Sequence, residues 1–209
     1  YNRITAQLLF REVVSVTLLS EIEALCDATK ARIRAVLDVL AGRSADRKEL
    51  AGIAGGSRLE AATPDDLVIL AFAGHGHAGE AGVFHLLPQD IVGSDTRMTP
   101  QLLARSINTD ELEAWLRDVD AGELVMVIDA CYSSASVEGN DFKPGPMGSR
   151  GLGQLAYDKG MRILAAAQAS EVANEERVLE HGMLTFALMR DGIEEGRADF
   201  RPQDDRIRL

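Results

Sequence analysis

One stretch constrains the fold more than any other. Leu124, Val125, Met126, Val127 and Ile128 form an unbroken aliphatic run that ends at Asp129, Ala130 and Cys131 and passes at once into Tyr132, Ser133 and Ser134. A strand with one wet face alternates apolar and polar residues, whereas an uninterrupted run fits a strand covered on both faces, as in a parallel sheet flanked by helices. Parallel neighbours need crossover connections, so helices are expected between the strands. In open sheets of this kind the crevice for ligands lies beyond the carboxyl ends of the strands, and Cys131 falls at such an end.

A second run repeats the design. Leu67, Val68, Ile69, Leu70, Ala71 and Phe72 lead into Gly74, His75 and Gly76. The expectation is a buried strand that stops at His75, with glycine on each side letting the backbone turn sharply and leaving amide N–H groups open to a ligand. Parallel strands bring His75 and Cys131 to the same end of the sheet. An imidazole beside a thiol promotes the thiolate and later protonates a leaving group, which is what cysteine attack on a carbonyl requires. His77, two residues further on, is the competing imidazole.

The two motifs, with their surroundings, resemble a known family. Ala73, Gly74, His75 and Gly76, followed by Asp129, Ala130, Cys131, Tyr132 and Ser133 with His75 and Cys131 56 residues apart (131 − 75), are similar to the histidine and cysteine motifs of the caspase-like cysteine peptidases. The bacterial metacaspase and orthocaspase type is the nearest branch. Residues 86–90, 151–157, 160–168 and 181–188 carry the likeness over most of the chain.

The resemblance implies a caspase-like three-layer α/β/α sandwich with a mainly parallel central sheet. It implies one peptidase domain over 1–209, truncated at both ends relative to the family, with further domains in the full-length chain. The implied activity is that of a cysteine endopeptidase with Cys131 as nucleophile and His75 as base, because the family's base is the histidine directly followed by glycine; His77 is then expected to face solvent. The N–H groups of Gly76 and Cys131 would form the oxyanion hole. Gly76 also has a plainer reading as a turn residue, and Asp129 one as a loop cap. Asp129 stands where classical caspases carry glutamine and metacaspases aspartate, so the resemblance places it in the S1 pocket, pairing with Arg or Lys at P1, a guanidinium in bidentate geometry. The implied partners are proteins or peptides with those residues at P1.

Ser134 departs from the family, which has glycine there, and it supports a rival reading: a catalytically inactive caspase-fold interaction module of a larger signalling protein. Asp90, Asp110, Glu111 and Glu138 fall near places where some metacaspases bind activating calcium. Acidic loop residues are more often simply solvated, so no resident metal or cofactor is expected and calcium activation is the lesser expectation.

Composition narrows the classes further. At 209 residues one sizeable core is expected. Acidic residues outnumber basic ones, 33 to 22, for a formal charge of −11; this argues against nucleic acid and anionic membranes as partners and is compatible with drawing in basic peptides. Two cysteines, Cys26 and Cys131, make no disulfide framework, and Cys26 reads as an ordinary thiol, so a reducing, cytoplasmic location is expected. No apolar run reaches the roughly 18 residues of a spanning helix.

The remaining chain alternates between the two element types. Residues 13–19 are β-rich and read as a strand. The spacing of Ile33, Val36, Leu37 and Leu40 predicts an amphipathic helix over 29–41, stopped by Gly42, and 47–51 suggest a short helical turn. A loop over 79–82 and a short strand over 83–87 suggest a hairpin. Thr99 with Pro100 starts a helix, and Asn108 with Glu111 restarts it as a capping box, with Leu112, Trp115, Leu116 and Val119 on one face and Gly122 at its end. An exposed loop is expected over 133–150, a strand over 162–168 and a helix over 183–193. Structural roles are expected for His85 and His181.

Overall fold

The structure, a computed structural model, describes residues 10–19, 27–78, 83–91, 99–132, 150–166 and 183–199. The aliphatic run at 124–128 forms the body of β4 (Glu123–Tyr132). Its two neighbours, β1 (Leu67–Ala78) and β5 (Arg162–Ala165), run parallel to it. On the far side of β1 the sheet is continued by β2 (Phe84–Leu87) and β3 (Ile107–Asn108), each antiparallel to its neighbour, which gives the order β3-β2-β1-β4-β5. The sheet is thus parallel at its centre and antiparallel on one flank, and the expected hairpin is the β1–β2 pair.

The helices are α1 (Lys30–Leu40), α2 (Arg47–Leu50), α3 (Pro100–Leu103), α4 (Thr109–Leu116), α5 (Arg150–Lys159) and α6 (Met183–Phe186). The last continues as a π-helix over Ala187–Glu194. Strand alternation sends Leu124, Met126, Ile128 and Ala130 to one face of the sheet. There they pack with Val68, Phe84 and Leu86, under Leu37 of α1 and Leu112, Trp115 and Leu116 of α4, with Ala156 of α5 at the margin. Val125, Val127 and Asp129 alternate to the other face and are also buried; α6 packs there against β4. Layers of helices on both faces explain why residues 124–128 read as apolar without a polar alternate, and they make the α/β/α sandwich.

Local chemistry sets the helix ends. Thr29 and Thr99 accept from the N–H of Arg32 and Leu102, each at 3.3 Å. Asn108 and Glu111 form the full capping box: Glu111 N donates to Asn108 Oδ1 at 2.7 Å and Asn108 N donates to Glu111 Oε2 at 3.2 Å. Beyond α1, Gly42 takes a φ of 68° that an L side chain rarely adopts, and the chain reverses. Two ionic contacts fasten α1 to the β3–α4 region. Lys30 Nζ meets Glu111 Oε1 and the Ser106 carbonyl, both at 2.7 Å. At the other end Arg43 bridges Asp38 at 2.8 Å, Asp118 at 2.7 Å and the Trp115 carbonyl at 2.9 Å.

Two expectations are corrected. Residues 13–19 form no strand; among the described residues their ladder contact is an isolated bridge between Thr17 and Ala54. Their β-branched side chains act by packing instead, with Val16 and Leu18 against a satellite cluster of Ala35, Leu50 and Ile53. That cluster also covers α1 on a second side. Ile33, Leu37 and Leu40 face the main core, whereas Val36 and Val39 turn toward the satellite. Helix α4 also ends at Leu116, with Val119 reaching the core from the turn that follows. The expected loop over 79–82, all but the last residue of the loop expected over 133–150, the end of the strand at 167–168, Glu138 and His181 lie outside the described residues, and Arg150, expected in that loop, begins α5. Among the described residues no helix is long and apolar enough to cross a membrane.

Candidate active site

β1 does not stop at His75. It runs on to Ala78, and neither Gly74 nor Gly76 has a positive φ, so the expected sharp turn is absent. The reason for glycine at 76 is steric. A Cβ built there would lie 2.3 Å from Cζ and 3.0 Å from Cε1 of Phe84, the ring that packs beneath β1 from β2. β4 likewise continues past Cys131 to Tyr132.

The continuation places both sequence motifs inside one ladder. His75 is registered with Cys131, Gly76 with Tyr132, and Ala73 with Asp129. Registered positions of a parallel pair share a sheet face, and adjacent strands lie about 4.8 Å apart. Positions 75 and 131 are therefore neighbours by backbone pairing alone, with no loop setting their separation. His75 is half-buried, and β2 approaches it from the other side, where it is registered with Leu87. Gly76 is registered on both sides, to Leu86 and Tyr132.

Asp129 is 4 % exposed. A carboxylate at that depth needs donors, and Thr185 of α6 supplies two: its backbone N–H at 2.8 Å and its hydroxyl at 2.5 Å, both to Oδ2. Thr185 has no local sequence signal for this role. Its partner is 56 residues upstream, and a threonine early in a helix reads as a capping residue of its own segment.

The competing imidazole does not face solvent as expected. His77 Nδ1 is buried, and its ring centroid lies 6.2 Å from that of His85, tilted by 52°. The two are registered across the β1–β2 hairpin. His85 Nδ1 lies 2.7 Å from Ser106 Oγ, and Ser106 Oγ donates its proton to the Leu103 carbonyl at 2.7 Å. With that hydroxyl proton spent, Ser106 accepts from an Nδ1–H of His85. Burial holds the His85 pKa below the ordinary 6.5; Lys30 also lowers it, and Glu111 and Asp110 pull the other way without prevailing. The imidazole is thus a structural member of the β2–β3 flank.

Of the acidic residues considered for calcium, the three that are described, Asp90, Asp110 and Glu111, do not converge. Glu111 is paired with Lys30, Asp110 is exposed, and Asp90 lies 3.9 Å from Arg105. Among the described residues no three His, Cys, Asp or Glu side chains gather as a metal site.

With this geometry in place, comparison with known proteins gives one positive finding. The family model described as the caspase domain matches residues 21–199. That span holds all five strands of the sheet and both motifs. No curated protein and no solved structure matches the chain.

Proposed function

The chain belongs to the caspase domain family, a family of cysteine peptidases, and from that premise we propose that it is a cysteine endopeptidase of metacaspase-like type, cleaving after arginine or lysine. The observation that carries the proposal is the ladder register of His75 with Cys131. The Cys131 thiolate attacks the carbonyl carbon of the scissile bond, and the electron pair of the C=O moves onto oxygen. N–H groups of Gly76 and Cys131 receive that oxyanion; each such donor contributes roughly 2.7–4 kcal/mol in the transition state. For Gly76, registered on both sides, this donation competes with ladder pairing. His75, as imidazolium, then protonates the leaving amine. In the second half-reaction it takes a proton from water, which attacks the thioester and releases the acid and the free thiol.

Asp129 gives the site its preference. It lies two residues before Cys131 on the same strand face, at the end of β1 and β4 where the motifs meet. A buried carboxylate attracts a cationic P1 side chain and repels the aspartate that a classical caspase prefers. Cleavage chemistry of this type needs a free thiolate, so a reducing compartment such as the cytoplasm suits it. Calcium dependence is read by peptide turnover with and without a chelator; Asp90, Asp110 and Glu111 do not gather into one site.

The test is labelling and turnover together. Iodoacetamide is expected to alkylate Cys131 faster than Cys26, and matched fluorogenic peptides ending in arginine or lysine are expected to be cleaved while the aspartyl peptide is not. Cys131→Ala should lose all turnover with the fold intact, His75→Ala nearly as much, and His77→Ala far less. No cleavage by folded wild-type protein would leave an interaction module as the function. Inactivity of His77→Ala with an active His75→Ala would reverse the assignment of the base.

A further inference from the structure

The assignment of Asp129 to the S1 pocket leaves open how the carboxylate is presented, and Thr185 decides it. A carboxylate oxygen has two lone pairs. The Thr185 N–H at 2.8 Å and hydroxyl at 2.5 Å both end on the same oxygen, Oδ2. Two donors at charge-assisted distances fill that oxygen. The geometry is held from two directions: Asp129 is fixed in the ladder opposite Ala73, and Thr185 is fixed in α6, which packs on β4.

We infer that Thr185 is a specificity-positioning residue, which occupies Oδ2 and leaves Oδ1 of Asp129 as the oxygen that meets the P1 cation. The inference rests on the S1 reading and changes one of its consequences. Arginine is favoured over lysine where a carboxylate offers two oxygens to the planar fork of the guanidinium. A site that offers one oxygen takes either cation by a single charge-assisted bond. Arginine and lysine are therefore handled alike, and the enzyme reads positive charge without reading guanidinium shape.

The experiment compares kcat/KM for matched peptides ending in arginine, lysine and norleucine, the last being an uncharged control. In wild type the arginine-to-lysine ratio is expected within about threefold, because neither cation gains a second bond. Thr185→Val removes the hydroxyl and frees one lone pair of Oδ2, so the ratio should rise about tenfold as the guanidinium gains its second contact. Thr185→Ser keeps the hydroxyl and should keep the wild-type ratio. A ratio does not depend on the fraction of enzyme that is folded, and a merely structural threonine would scale all three peptides together.

An unchanged ratio in Thr185→Val overturns the inference. So does a wild-type ratio above about tenfold, which can be read even if the valine variant does not fold. Asp129→Asn separates this from failure of the underlying reading. If that variant keeps the preference for basic over norleucyl peptides, Asp129 is not the S1 carboxylate. If it loses the preference while the Thr185 variants behave alike, only the role of Thr185 is wrong.

Discussion

Replacing Gly76 with alanine isolates the steric reason for glycine beside the histidine. The added Cβ meets Cζ of Phe84 at 2.3 Å and Cε2 at 3.2 Å, where relaxed carbon contacts lie near 3.5–4.0 Å. Phe84 is 2 % exposed, so its ring has no route to solvent and must displace its neighbours in the core. Overpacking of this kind costs about 1–3 kcal/mol, and an approach more than 1 Å inside contact belongs at the upper end, or a fall in Tm of about 5–10 °C for a chain of this size. The assay is urea unfolding of four proteins: wild type, Gly76→Ala, Phe84→Leu and the double variant. Phe84→Leu alone costs about 1 kcal/mol by leaving space, but in the double variant that space accepts the new methyl group. The two changes should then fall short of additivity by at least about 1 kcal/mol. Strict additivity would refute the reasoning and return glycine at 76 to a conformational role. Gly74→Ala is the comparison, since its nearest atoms, on the Phe72 ring, stand at 3.3 and 3.4 Å, and it should cost less than about 1 kcal/mol.

Three further outcomes are expected. His85 has a lowered pKa in the fold, so below pH 6.5 the unfolded chain binds the proton more readily; stability should rise with pH up to about 6.5 and then level off, and His85→Gln should remove that part of the slope in a pH series of thermal melts. Lys30→Met leaves Glu111 and the Ser106 carbonyl without their cation, and after allowance for partial exposure this should cost about 1–2 kcal/mol in chemical unfolding. Asn108→Ala removes the acceptor half of the capping box and should cost about 1 kcal/mol by the same measurement, with no change in the arginine-to-lysine ratio.

Much of the fold was legible because its causes are local. The unbroken run at 124–128, the caps at Thr99 and Asn108 and the stop at Gly42 each act within a few residues, and the structure places them as read. The motif at His75 was misjudged in shape for the opposite reason. Two glycines around a histidine signal a turn when only chain neighbours are considered, but Gly76 answers to Phe84, a residue on another strand. Residues 13–19 have the composition of a strand, and strand formation depends on a neighbour that composition does not supply. His77 was expected in water once His75 was taken as the base, yet the hairpin brings His85 across. Thr185 carried no signal at all, since its partner becomes adjacent only when α6 packs on β4.

The pairing of His75 with Cys131 sets the two apart by a single inter-strand step, although they are 56 positions apart in the chain (131 − 75). Their spacing belongs to the hydrogen-bond ladder that begins at Leu67 and Glu123, and not to the connections. Insertions between β2 and α3 should therefore leave His75 and Cys131 unmoved, whatever they do to stability. The stretch between β2 and α3 is the part that evolution can rewrite without moving the pair. It is equally a sensible place to divide the gene, because two fragments that rebuild the β1–β4 ladder would bring His75 and Cys131 together with it.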